Sequence, residues 1–199
     1  MSNVDRPFGA RAAKTITSAA YSAQTNQYKA DAERSATNGF GNIYAGDFVT
    51  LEADGKVAPA ASGDLILGVV VAAGPSGDTN HGRTGPWNAD QLDERFLAFD
   101  EEGVVHVIDD PNVLFEIQED ADDEADALSE ADVGSTRDIT ATAGESHGSD
   151  LSGESTVEVS STSDENGDVR LVELVDRVDN EEGPKAKWLV RIANHYFRQ

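Results

Sequence analysis

Four histidines (His81, His106, His147 and His195) and no cysteine bound the chemistry open to this chain of 199 residues. Without cysteine there is no disulfide, no thiolate nucleophile and no thiolate metal site. The histidines stand far apart in the sequence, and none belongs to an HExxH, GxSxG, phosphate-loop or GxGxxG pattern, so no standard catalytic set assembles by spacing. His106 lies in a strand pattern and His195 near the end of the chain, where packed or contact side chains are the plainer reading. Carboxylates are abundant. The run from Glu116 to Asp132 offers oxygen ligands suited to Ca²⁺ or Mg²⁺, but it lacks the central glycine and terminal glutamate of a calcium loop, and a solvated acidic face is favoured. Asp109-Asp110 before Pro111 suits an acid–base pair, and equally a turn cap. A glycan hydrolase working through paired carboxylates ranks last among the functional readings, because these acids have no distinctive apolar setting to raise a pKa. No catalytic residue, metal ligand or cofactor site is expected.

The elements that would position any site are strands. Phe48 to Leu51 and Lys56 to Ala58 flank Asp54-Gly55, where glycine supplies the positive φ of a tight hairpin turn. Leu65 to Val71 is apolar on both faces, the pattern of a strand in the middle of a packed unit. Gly46 and Gly68 admit bends or close backbone approach. Further on, Phe96 to Phe99 and Val104 to Ile108 read as a strand pair around Asp100 to Gly103. Val113 to Ile117 follows, set off by the proline at 111. Gln118 to Gly134 reads as a short acidic surface helix. Residues 135–168 read as a long loop with one or two marginal strands and a hairpin turn at Asn166-Gly167. Val169 to Val175 and Ala186 to Phe197 form a second strong strand pair, with Trp188 and Phe197 assigned to the core. The fold class is therefore all-β, a β-sandwich or barrel with an extended N-terminal arm and one short acidic helix. Residues 1–39 make the arm, with one strand expected between Ile16 and Tyr28, and residues 40–199 make a single β-rich domain with long loops at 75–91 and 135–168.

Charge narrows the partners. Fifteen basic residues against 38 acidic ones leave a formal net charge of -23 and a pI near 4.2. That load excludes a chain-wide attraction to nucleic acid or anionic lipid. It suits molar salt, where a Debye length of about 3 Å quenches self-repulsion. No run reaches the about 20 apolar residues of a membrane span, and the first residues lack the apolar segment of a signal peptide, so a soluble, unsecreted protein is expected. The charge is uneven. Residues 1–39 carry +2 and residues 185–199 carry +4, while residues 93–132 hold sixteen acids and one base, Arg95. Basic ends can face an acidic partner while the acidic middle faces solvent. Trp87, in the Gly/Pro loop 75–91, has nothing local to pack on and suits a partner surface. Phe8, Arg11, Tyr21, Tyr28, Trp87, Arg191, Tyr196 and Arg198 are the expected contact residues.

The ordered segments GDFVTLEADGKV, LGVVVAAG, VVHVIDDPNVLFEIQED, ADVGSTRDI and VRLVELVDRVDNEEGPKAKWLVRIANHYF together resemble structural proteins of tailed phages, the head decoration or cement proteins. DDPNVLFEIQ and LVDRVDNEEGPKAKWLVRI are the specific part. The resemblance runs from about Asn38 to the C-terminus. The additional acids point to a virus of halophilic archaea. The resemblance implies a non-enzymatic virion protein on the outer surface of an icosahedral head. Its partners would be the major capsid protein and further copies of itself, as a homotrimer or a pentamer, with neither nucleic acid nor membrane bound. A turret or spike base at the fivefold vertices is the nearest rival, and a tail or adsorption protein the next.

Overall fold

The computed structural model describes residues 3–17, 24–32, 41–75, 96–141, 148–149 and 152–198. Its strands are β1 (Arg11–Thr15), β2 (Asn26–Ala30), β3 (Phe48–Leu51), β4 (Val57–Pro59), β5 (Gly68–Pro75), β6 (Gly103–Ile108), β7 (Val113–Gln118), β8 (Thr136–Ile139), β9 (Gly148–Ser149), β10 (Glu154–Ser155), β11 (Val159–Ser163), β12 (Val169–Leu174) and β13 (Lys187–Ile192). They form a six-stranded sheet ordered β1-β7-β13-β12-β8-β11, a five-stranded sheet ordered β2-β6-β5-β3-β4 and a small β9–β10 ladder, every strand pair antiparallel. The all-β expectation holds.

Alternation along the strands builds the core. In the six-stranded sheet, Val113, Phe115 and Ile117 of β7, Val169 and Leu171 of β12, and Trp188, Val190 and Ile192 of β13 all enter one cluster. The sheet curls strongly. Its last strand comes back to the end of β7, where Glu119 bridges Val159 in parallel and the Asp120 N–H donates to the Val159 carbonyl at 3.0 Å. The five-stranded sheet also curls, so that edge strands β2 and β4 meet and Lys56 pairs with Asp31 across the gap. One of its faces sends Phe48, Val69 and Ile108 into the first cluster, while Val49, Val70, Val105 and Val107 build a second cluster with Ile43, Leu67 and Leu97. Burial on both faces is the reason the Leu65 to Val71 run carries no polar alternation.

The Asp54-Gly55 turn joins β3 to β4 as the sequence requires, with Gly55 at φ 84°. Gly68 opens β5 where that strand crosses β6, and a Cβ there would stand 2.1 Å from the Ile108 carbonyl oxygen. Gly68→Ala is expected to lower stability by about 2 kcal/mol, in the range of core overpacking. Gly41→Ala meets nothing and should leave stability unchanged; urea midpoints of the two variants check the contrast.

Several local expectations change. Phe96 to Phe99 makes only an isolated bridge, Leu97 to Ile43, and β6 pairs instead with β5 and β2. The helix over 118–134 reduces to a single 3-10 turn, Glu130–Asp132. Like charges crowd that run, and its larger apolar group, Leu128, is buried with no apolar stripe to accompany it. The loop expected over 135–168 holds β8, β10 and β11 as well as β9, and β8 lies between β11 and β12. Asn166-Gly167 is therefore a turn between strands that do not pair. Within the N-terminal segment, β1 adds to β7 and β2 adds to β6, so it lends an edge strand to each sheet rather than one strand between 16 and 28. Asn3 reaches further, donating to the carbonyls of Glu181, Gly183 and Pro184 at 2.8 to 3.3 Å. The loop expected over 75–91, with Trp87, lies beyond Pro75 outside the described residues.

Candidate functional site

Register places two arginines opposite each other. β12 and β13 pair Arg170 with Arg191, and because Val169, Leu171, Val190 and Ile192 point into the core, both arginines stand on the outer face. Like charges directly across a ladder are unfavourable. A third arginine joins them. After β13 the chain leaves the sheet, Ala193 donates to the Asp168 carbonyl at 2.8 Å, and Tyr196 donates to the Ile66 carbonyl at 2.8 Å. This path sets Arg198 close enough that its charge, together with burial and Arg170, pushes the Arg191 guanidinium below its ordinary pKa, burial being the largest cause.

None of Arg170, Arg191 and Arg198 pairs with a carboxylate among the described residues, whereas Arg11, Lys14, Lys56, Arg137, Arg177 and Lys185 all do. Arg170 donates to the Gly134 carbonyl at 2.6 Å. The Arg191 Nε is buried with no acceptor. Beside the arginines Phe197 is 58% exposed, which corrects its assignment to the core, and its ring meets Tyr196 edge-on at 5.7 Å. Tyr196 packs on the second core and holds that edge in place. His195 is buried, accepts the Phe197 N–H on Nδ1 at 3.1 Å and is held below its ordinary pKa by burial, so it shapes the turn as a neutral ring. Asp138, Asp164 and Glu165 line a shallow hollow beside Arg170 and form the acidic rim of the patch.

The structure thus brings Arg191, Tyr196 and Arg198 together and adds Arg170 and Phe197. Arg170 was legible as outward by alternation, but its pairing with Arg191 depends on a register that the sequence does not state. The other expected contacts fall elsewhere. Phe8 is buried beneath Arg11, whose guanidinium lies 4.4 Å from the ring centroid and pairs with Glu154 at 2.8 Å, so Phe8 serves the packing of this chain. Both line a cleft of about 480 Å³ floored by Ala12, Val69 and Ile108. Tyr28 in β2 donates to Asp109 at 2.6 Å, and burial followed by this carboxylate pushes its phenol above the ordinary value. Tyr21 and Trp87 lie outside the described residues.

The carboxylates show a correction. Burial pushes Asp47 up to about 7, Glu119 to about 7 and Asp168 to about 6, so apolar settings do exist for acids in this chain. Each is engaged by backbone donors. Asp47 accepts from the Tyr44 N–H at 2.8 Å, Glu119 from Leu128 at 2.7 Å, and Asp168 from Gly63 and Ile139 at 3.0 and 3.1 Å. These bonds staple loops to the sheets, with Asp168 joining the segment after β4 to β8. Asp110 accepts the Asn112 N–H at 2.9 Å as a turn cap, and Asp109 ties down Asn26 and Tyr28, so the two acids act separately. Among the described residues no three His, Asp or Glu side chains gather as metal ligands. Residues 122–126 form an exposed acidic ridge, anchored where Lys185 pairs with Asp122 at 2.9 Å.

Comparison with protein-family models, with curated proteins and with solved structures finds no match to this chain.

Proposed function

We propose that the protein is a virion structural protein that binds the outer surface of an icosahedral head as a decoration or cement protein, in a virus whose host lives in strong salt. The observation that carries this reading is the Arg170, Arg191, Arg198 and Phe197 face on a molecule of net charge -23. Exposed arginine beside an exposed aromatic ring is the composition of an interface anchor. Its position at the end of β13 leaves the acidic bulk of the chain free to face water. The resemblance of the 109–118 and 174–192 segments to tailed-phage decoration proteins supports the same assignment. Many copies on a lattice would hold by multivalency even where a single contact is weak.

The test is occupancy of heads assembled from the major capsid protein and stripped of this chain, measured in about 3 M salt. Saturable binding is expected, with occupied heads releasing their contents at a higher temperature than bare ones. Copy number at saturation separates a distribution over the whole surface from placement at the fivefold vertices alone. Absence of binding, or hydrolysis of cell-wall glycans by the purified protein, overturns the proposal.

A further inference from the structure

The charges of the molecule are sorted along one strand. At the start of β13 sit the acidic ridge and its surroundings: Asp122 on Lys185, Glu182 accepting the Glu130 N–H at 3.0 Å, and Glu124 beside Gly183. At its end sit Arg191, its cross-strand partner Arg170, and Arg198. Lys187 and Arg191 are four strand residues apart, about 13 Å. The ridge is therefore displaced from the patch along β13, and among the described residues neither the patch nor Asp123, Glu124 and Asp126 of the ridge form ion pairs with each other within the chain.

We infer that the arginine face of one copy docks on the 122–126 ridge of a second copy, a head-to-tail contact running along β13. Two features favour a second copy over a polyanion. A chain carrying -23 repels nucleic acid at every distance beyond contact, and the chain's own ridge is a carboxylate-rich protein surface complementary to the patch. In molar salt the long-range repulsion between copies is screened, and only contact-range terms survive. Arginine–carboxylate forks and burial of the Phe197 ring are such terms. A contact between unlike surfaces closes into a ring or continues as a chain, according to the rotation between neighbours. The inference refines the structural-protein proposal by assigning the surface between copies, and it is read on free protein, so its failure leaves head binding to be judged by occupancy.

The experiment is the mass of the purified protein by light scattering in about 3 M NaCl. The wild type is expected at a multiple of 21.1 kDa. Arg170→Glu with Arg191→Glu, and separately Asp123→Lys with Glu124→Lys, should each give the monomer, and mixing the two variants should restore a dimer, because the reversed surfaces are again complementary. Arg170→Glu and Phe197→Ser, both at exposed positions, keep the test open if the Arg191 change unfolds the chain. A monomeric wild type overturns the inference, as does an oligomer whose mass neither charge reversal alters.

Discussion

Acidification from pH 8 to pH 5 is expected to stabilise the folded protein, opposite to the usual behaviour of a protein held by carboxylate ion pairs. Asp47, Glu119 and Asp168 have folded pKa values pushed up to about 7, 7 and 6 by burial, and Glu158 moves the same way. Unfolding returns them to ordinary values near 4. Between about pH 4 and 7 the native state therefore holds more protons than the unfolded chain, and stability falls as pH rises through that window, then levels off above it. Other groups oppose this. His195, held low by burial, favours the unfolded state below about pH 6.5. Asp54 and Asp132 are held low chiefly by backbone N–H donors and lend support that is lost only below about pH 4. Three strongly raised acids outweigh one histidine, so the unfolding free energy should peak near pH 5, on the order of 3 kcal/mol above its value at pH 8. Urea unfolding in 1 M NaCl, which suppresses the contribution of net charge, measures it. Asp47→Asn keeps an acceptor for Tyr44 and should flatten the profile. A midpoint highest at pH 8 would contradict the assignment.

Trp188→Ala is the substitution expected to damage the fold most. The side chain is fully buried in the cluster that takes residues from both sheets, between Ile117 across β7 and Leu174 across β12. Removing a ring of that size from a close-packed interior leaves a cavity and costs about 3–5 kcal/mol. For a chain of this length that lowers Tm by about 10 °C. The loss should appear in the urea midpoint with little change in slope, while Trp188→Phe recovers most of it. Fluorescence gives a second readout, since Trp188 is one of two tryptophans and its buried ring should supply the blue-shifted part of the emission.

Where the sequence was readable, one physical cue was enough. Gly55 after Asp54 dictated a hairpin, and the apolar run Leu65 to Val71 signalled burial on both faces. The β12–β13 pair was equally plain from alternation. What escaped depends on long-range partners. Residues 135–168 look polar because β8 and β11 contribute few large side chains, and pairing to strands far away in sequence makes them strands. Phe197 follows the alternation of β13, but the chain leaves the sheet after Ile192 and turns the ring outward. Asp47, Glu119 and Asp168 carry no local mark of burial, since the N–H groups that receive them become neighbours only in the folded chain. In the interaction face, Arg191, Tyr196 and Arg198 were visible from the basic end of the sequence. Arg170 needed the register.

The path of the N-terminal segment has a consequence for how the chain acquires its structure. β1 waits for β7, about a hundred residues later, and Asn3 waits for the turn at 181–184. A ribosome synthesising this protein would release its first strand long before any partner emerged, so the six-stranded sheet cannot close cotranslationally from its beginning. Pairings this distant in sequence place the chain among slow folders, with times from milliseconds to seconds. During that interval β1 is an unpaired edge, and its Arg11 and Lys14 are the kind of charge that discourages pairing with a neighbouring nascent chain.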